Sequence, residues 1–126
     1  MKQYALITGA GTGIGRALCE RLIKKNLEVT GVGRRPAPLE KLKQDFGQSV
    51  TIVEADVGTV SGRNKIHSVV KKQKLDLLVH NWETYYHYNV GVQYLLFLRL
   101  KGYHQVDLSK FLYLLDSKMN RYSRSV

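Results

Sequence analysis

Residues 8 to 15 read Thr8-Gly9-Ala10-Gly11-Thr12-Gly13-Ile14-Gly15, four glycines at alternate positions directly behind the apolar run Tyr4 to Ile7. Such a segment can do one kind of chemistry well. A strand that ends in a tight turn needs positive φ, and a phosphate can approach the backbone only where no Cβ intervenes. The helix that follows must also pack closely on its strand. The helix N-terminus then offers unpaired N–H groups and partial positive charge to an anion. A P-loop would need Lys and Ser or Thr after its last glycine to hold β/γ-phosphates and magnesium. Arg16 and Ala17 stand there instead, which excludes that reading. A second cluster, Gly33-Arg34-Arg35, closes the next apolar run at the spacing where a dinucleotide's ribose is read.

The elements needed to position these residues are legible in the periodicity. Tyr4 to Ile7, Leu27 to Val32, Val50 to Val53 and Leu75 to Val79 read as buried strands. Between the first two, Ile14, Leu18 and Leu22 recur on one helical face over Ile14 to Lys25. Leu39, Leu42 and Phe46 mark a second helix that Gly47 can stop. Ser61 is placed to cap a third helix with Ile66, Val69 and Val70 inward. The order βαβαβαβ predicts an α/β fold, a Rossmann-like doubly wound parallel sheet, because parallel strands need crossover helices to return the chain to the same edge.

Composition narrows the function classes. The 126 residues suit one globular domain. Lone Cys19 excludes an internal disulfide and a multi-cysteine zinc site, and the four histidines form no HExxH pair, so no metal site is expected. The apolar run Tyr94 to Leu98 is five residues, where a membrane span needs about 20. With no signal-peptide core behind the N-terminus, a soluble cytoplasmic protein without a membrane partner is expected. The net charge of +10 raises a polyanionic partner, but it is spread evenly. Residues 1–81 carry 14 basic and 7 acidic side chains, and residues 82–126 carry 6 and 3. No nucleic-acid recognition module is legible, and Lys71, Lys72 and Lys74 suit a helix C-terminus, so nucleic acid is disfavoured.

Character changes near Asn81. Nine of eleven glycines lie before it, while Trp82 and seven of eight tyrosines lie after it. The chain therefore divides into 1–81, a dinucleotide-binding half, and 82–126, an atypical C-terminal extension. Apolar residues at every even position from Val90 to Leu100 favour a strand there. Asp107 is placed to cap a short helix burying Leu108, Phe111, Leu112 and Leu115, and Met119 to Val126 reads as frayed.

Residues 1–81 resemble the N-terminal half of the short-chain dehydrogenase/reductase family. Thr8 to Gly15 matches the family's Thr-Gly-x-x-x-Gly-x-Gly cofactor turn. Asp56-Val57 resembles its adenine-contacting pair, and Leu75-Asp76-Leu77-Leu78-Val79-His80-Asn81 its fourth strand leading into Asn-Ala-Gly. The resemblance implies an oxidoreductase that moves hydride between a nicotinamide dinucleotide and a carbonyl or alcohol carbon. Its implied cofactor-binding residues are Thr8, Gly9, Gly11, Thr12, Gly13, Ile14, Gly15, Asp56, Val57 and Asn81, with Arg34 and Arg35 at the ribose. A carboxylate at the ribose would accept from both hydroxyls of NAD, whereas guanidinium groups suit the 2′-phosphate of NADP. NADP is thus expected over NAD.

The resemblance implies no catalytic residue here, because the family's Tyr-x-x-x-Lys pair is missing: no tyrosine of this chain has lysine four residues on. A shift of reading frame just after Asn81 accounts for both halves, since Trp82 requires the codon TGG, which family codons for Ala-Gly contain out of frame. On that reading the chain is a truncated form of the enzyme. The rival is a short protein whose tail evolved for homo-oligomerisation as a non-catalytic NADP-binding module.

Overall fold

The computed structural model describes residues 2–71, 73, 75–85 and 91–99, with only the strand course given for 82–85 and 91–99. Four parallel strands, β1 (Tyr4–Thr8), β2 (Glu28–Gly33), β3 (Val50–Glu54) and β4 (Leu75–Tyr85), lie in the order β3-β2-β1-β4. Helices α1 (Gly13–Lys24), α2 (Pro36–Phe46) and α3 (Val60–Val70) connect them. A fifth strand, β5 (Gly91–Arg99), adds to β4 antiparallel and bears out the strand expected from the even-numbered apolar positions. The expected helix after Asp107, the tyrosines Tyr86 and Tyr88, and the frayed end at Met119 to Val126 lie outside the described residues. Among the described residues no helix is long and apolar enough to cross a membrane.

Strand side chains alternate between two cores, which is why the strands read as continuous apolar runs. On one face, Leu6, Val32, Val53 and Leu78 pack with Ile66 and Val70 of α3. On the other, Ala5, Ile7, Val29, Val50 and Val79 pack with Cys19 of α1 and Leu42 of α2. Helices on both faces make the sheet doubly wound, as expected. Each fully buried Leu or Ile contributes about 1.5–3 kcal/mol, so the cores hold the strand ends in fixed register.

Three local expectations change. α1 does not present Ile14 inward: its buried residues are Gly15 and Cys19, with Leu18, Leu22 and Ile23 partly buried, while Ile14 is 43% exposed. The packing stripe begins one residue later because only a glycine fits where the helix meets its strand. The cap of α3 is Thr59, not Ser61: the Thr59 hydroxyl accepts from the Gly62 N–H at 2.9 Å. Thr59 also donates to the Asp56 carbonyl at 2.9 Å, which couples the cap to the preceding turn. Finally, β4 runs through the change of character at Asn81, pairing with β1 over Leu75 to Val79 and with β5 from Leu77 to Tyr85. Other signals hold. Gly47 ends α2 at φ +58, and Asn26 takes φ +67 after α1, both left-handed conformations that stop helices.

Candidate functional site

Parallel strands end at one edge of the sheet, so the loop behind each strand's carboxyl end lies on that side. Thr8 stands opposite Val32, and Gly33 opposite Glu54. Thr8 to Gly15, Arg34-Arg35, Asp56-Val57 and Asn81 therefore come together along a single edge. The glycine turn is tied to both neighbouring strands. The Ala10 N–H donates to the Val32 carbonyl at 2.9 Å on β2, and the Asn81 carboxamide donates to the Gly9 carbonyl at 3.1 Å from β4.

The glycines have different tasks. Gly9, at φ +64, lies so close to β4 that a Cβ would come within 2.5 Å of the Asn81 carbonyl oxygen. A Cβ on Gly15 would overlap the Gly9 carbonyl oxygen, and one on Gly11 would meet Pro38 Cβ at 2.9 Å. These three serve contacts within the chain. Gly13 differs: at φ +56, nothing lies within 4 Å of its would-be Cβ. Thr12 enters α1 in extended backbone without capping it through its side chain, and no acidic residue occupies the first turn. The N-terminus of α1 thus presents open backbone and uncompensated partial positive charge, a cradle suited to an anion.

Arg34 and Arg35 are exposed at the end of β2, with Arg35 at the N-cap of α2 and Pro36 opening that helix. Among the described residues neither guanidinium is held in an ion pair. The Gly11–Pro38 approach brings the start of α2 against the glycine turn, so both arginines stand beside it. Arg16, by contrast, is turned away to Asp45 at 2.5 Å and over the Phe46 ring. Its hydrogen bond, joined by Lys41, holds the Asp45 carboxyl below its ordinary range.

Asp56 Oδ1 accepts from the Gly58 N–H at 2.9 Å, and Arg63 donates to the Val57 carbonyl at 3.0 Å. The pair is therefore shaped by the turn into α3, with Asp56 exposed and Val57 buried. Cys19 is buried and its thiol is pushed up to about 12 by desolvation, which makes it a packing group.

Sequence reading missed His80. It is buried, with Nδ1 2.6 Å from the Thr8 hydroxyl, and that same oxygen accepts from the Asn81 N–H at 3.0 Å. The available signal was two polar residues, His80 and Asn81, directly behind the apolar run Leu77-Leu78-Val79, since buried polar groups must find partners. Burial pushes the His80 imidazole down to about 4 from 6.5. Between those values the unfolded chain takes up a proton that the folded chain refuses. His80 therefore stabilises the fold fully above pH 6.5, and that contribution is lost as pH falls toward 4. Urea unfolding across this range should show stability falling with pH in the wild type and a flatter dependence for His80→Asn; parallel curves would remove His80 from the acid transition.

Comparison with known proteins identifies the family and the fold. The short chain dehydrogenase family profile matches residues 3–85. The chain is 30% identical over 109 residues to a very-long-chain 3-oxoacyl-CoA reductase-like protein of Arabidopsis thaliana, covering 82% of this chain and 31% of that protein. Among solved structures, a 3-ketoacyl-(acyl-carrier-protein) reductase of Brucella melitensis complexed with NADH superposes with TM-score 0.56 at 31% identity, covering 60% of this chain and 32% of the other. An L-sorbose reductase of Gluconobacter frateurii complexed with NADPH and L-sorbose gives TM-score 0.55 at 31% identity, covering 61% and 32%. The chain spans about a third of the length of the curated relatives it matches.

Proposed function

The chain belongs to the short-chain dehydrogenase family, and on that premise we propose that it binds a nicotinamide dinucleotide along the carboxyl edge of its sheet, with NADP preferred to NAD. The observation that carries this reading is the open backbone at Gly13 behind an uncapped α1 N-terminus. Gly13 and the first turn of α1 receive the pyrophosphate, with Thr12 and Ile14 exposed beside it. Gly9, Gly11 and Gly15 hold the turn in shape, and Thr8 and Asn81 fasten it to β1 and β4. Asp56 and Val57 face the adenine. Arg34 pairs with the 2′-phosphate, and Arg35 adds positive charge beside it. When bound, the dinucleotide supplies the hydride donor or acceptor for a carbonyl or alcohol carbon.

The chain's own residues bind and orient the dinucleotide, while the family's Tyr-x-x-x-Lys proton-donating pair has no counterpart among the 126 residues, where no tyrosine has lysine four positions on. Binding without turnover by this chain is accordingly the proposed activity. Ketone turnover with NADPH above a heat-killed control would overturn it.

Calorimetric titration tests the binding directly. Wild type is expected to bind NADPH and, more weakly, NADH. Gly13→Val places a β-branched side chain at positive φ in the open cradle and should weaken both by about tenfold or more. No heat with either dinucleotide in the wild type, or unchanged affinities in Gly13→Val, would refute the assignment.

Strand β5 supports a second reading, self-association. Among the described residues β4 is its only strand neighbour, so its outer edge offers backbone groups to another strand. A concentration-independent monomer mass down to micromolar protein would exclude it.

A further inference from the structure

We propose that His80 is a positioning residue of the dinucleotide site, a role that rests on the reading above: its Nδ1 accepts a hydrogen bond from the Thr8 hydroxyl and so orients the Thr8 oxygen as acceptor for the Asn81 N–H. The Thr8 hydroxyl is buried and lies 2.6 Å from His80 Nδ1 and 3.0 Å from the Asn81 backbone nitrogen. A backbone N–H can only donate, so the contact with Asn81 uses a lone pair of the hydroxyl oxygen. The hydroxyl can then meet Nδ1 through its single hydrogen or its second lone pair; in the arrangement proposed it donates, so that Nδ1 is the unprotonated nitrogen of a neutral imidazole carrying its proton on Nε2. Burial keeps the ring neutral at neutral pH.

The consequence reaches the glycine turn. With the Asn81 backbone anchored on Thr8, its carboxamide donates to the Gly9 carbonyl at 3.1 Å, at the residue whose positive φ starts the turn. His80 thus acts through Thr8 and Asn81 on Gly9. An apolar residue at position 80 would leave the Thr8 hydroxyl without this acceptor and release the orientation of the chain of contacts.

Long-range nitrogen–proton correlation NMR on the wild-type full chain at neutral pH should show His80 with its proton on Nε2. His80→Leu should weaken NADPH and NADH alike by about two- to tenfold, the worth of one buried hydrogen bond. His80→Asn, which can present an amide oxygen where Nδ1 stands, should restore most of that affinity. Thr8→Val, which also removes the acceptor of the Asn81 N–H, should weaken binding at least as much as His80→Leu, and the double variant should bind no more weakly than Thr8→Val alone. A proton on Nδ1, equal weakening by leucine and asparagine, or additive losses would overturn the role while leaving dinucleotide binding intact. Failure of the wild type to bind either dinucleotide would instead overturn the functional reading and this role together. The tautomer measurement uses the wild type and stands whether or not His80→Leu folds.

Discussion

Gly15→Ala is expected to destabilise the chain by about 3 kcal/mol and to abolish binding of both NADPH and NADH. Helix propensity alone predicts the opposite, since replacing a glycine inside a helix by alanine gains about 1 kcal/mol. Geometry decides the sign. A Cβ on Gly15 would overlap the Gly9 carbonyl oxygen and come within 2.7 Å of Asn81 Nδ2. The first obstacle is backbone, which cannot rotate aside as a flexible side chain would, so α1 must lift from β1. That movement opens the packing around Cys19 and Ala10 and breaks the contact between Asn81 and Gly9 that shapes the turn. Urea denaturation followed by circular dichroism gives the stability change, and calorimetry the binding. A variant more stable than wild type with unchanged affinity would show that the close approach of α1 to the turn does not exist in solution.

Arg34→Asp is expected to reverse cofactor preference. A guanidinium paired with the 2′-phosphate is a charge-assisted contact worth about 1.5–3 kcal/mol, or roughly 10- to 150-fold in affinity. Aspartate at the same place repels the phosphate and accepts from the ribose hydroxyls of NADH. The loss for NADPH and the gain for NADH therefore arise from one substitution. Arg34 is exposed, and among the described residues no ion pair holds it, so removing it leaves no buried charge unpaired and fold stability should change little. Titration of both dinucleotides against both proteins distinguishes this from a general electrostatic effect, in which the two affinities would fall together. Equal affinities for NADPH and NADH in the wild type would take Arg34 out of the site. Raising salt should narrow the NADPH advantage, since an exposed ion pair is screened.

The order of strands and helices, the place of the glycine turn and the arginines behind the second strand were legible in the sequence because each is a local property. Strand and helix periods are set by backbone geometry over a few residues, and the spacing of Gly9 to Gly15 is covalent. Parallel order followed as well, because helices between strands leave few other topologies. What tertiary structure decided was the meaning of residues whose partners are far along the chain. Sequence marks four equivalent glycines, yet three answer to Asn81, Gly9 and Pro38, and only Gly13 is left open. Ile14 sits on the apolar stripe by period, but the true contact lies one residue on, at Gly15 and Cys19. Ser61 is as good a capping residue as Thr59 by composition, and only the turn at Asp56 selects the latter. His80 meets Thr8 across 72 residues, a distance at which no periodicity speaks. Local signals prescribe which backbone conformations a segment can adopt, whereas hydrogen bonding and close packing between segments depend on relative placement to a few tenths of an ångström, which exists only once the sheet has assembled.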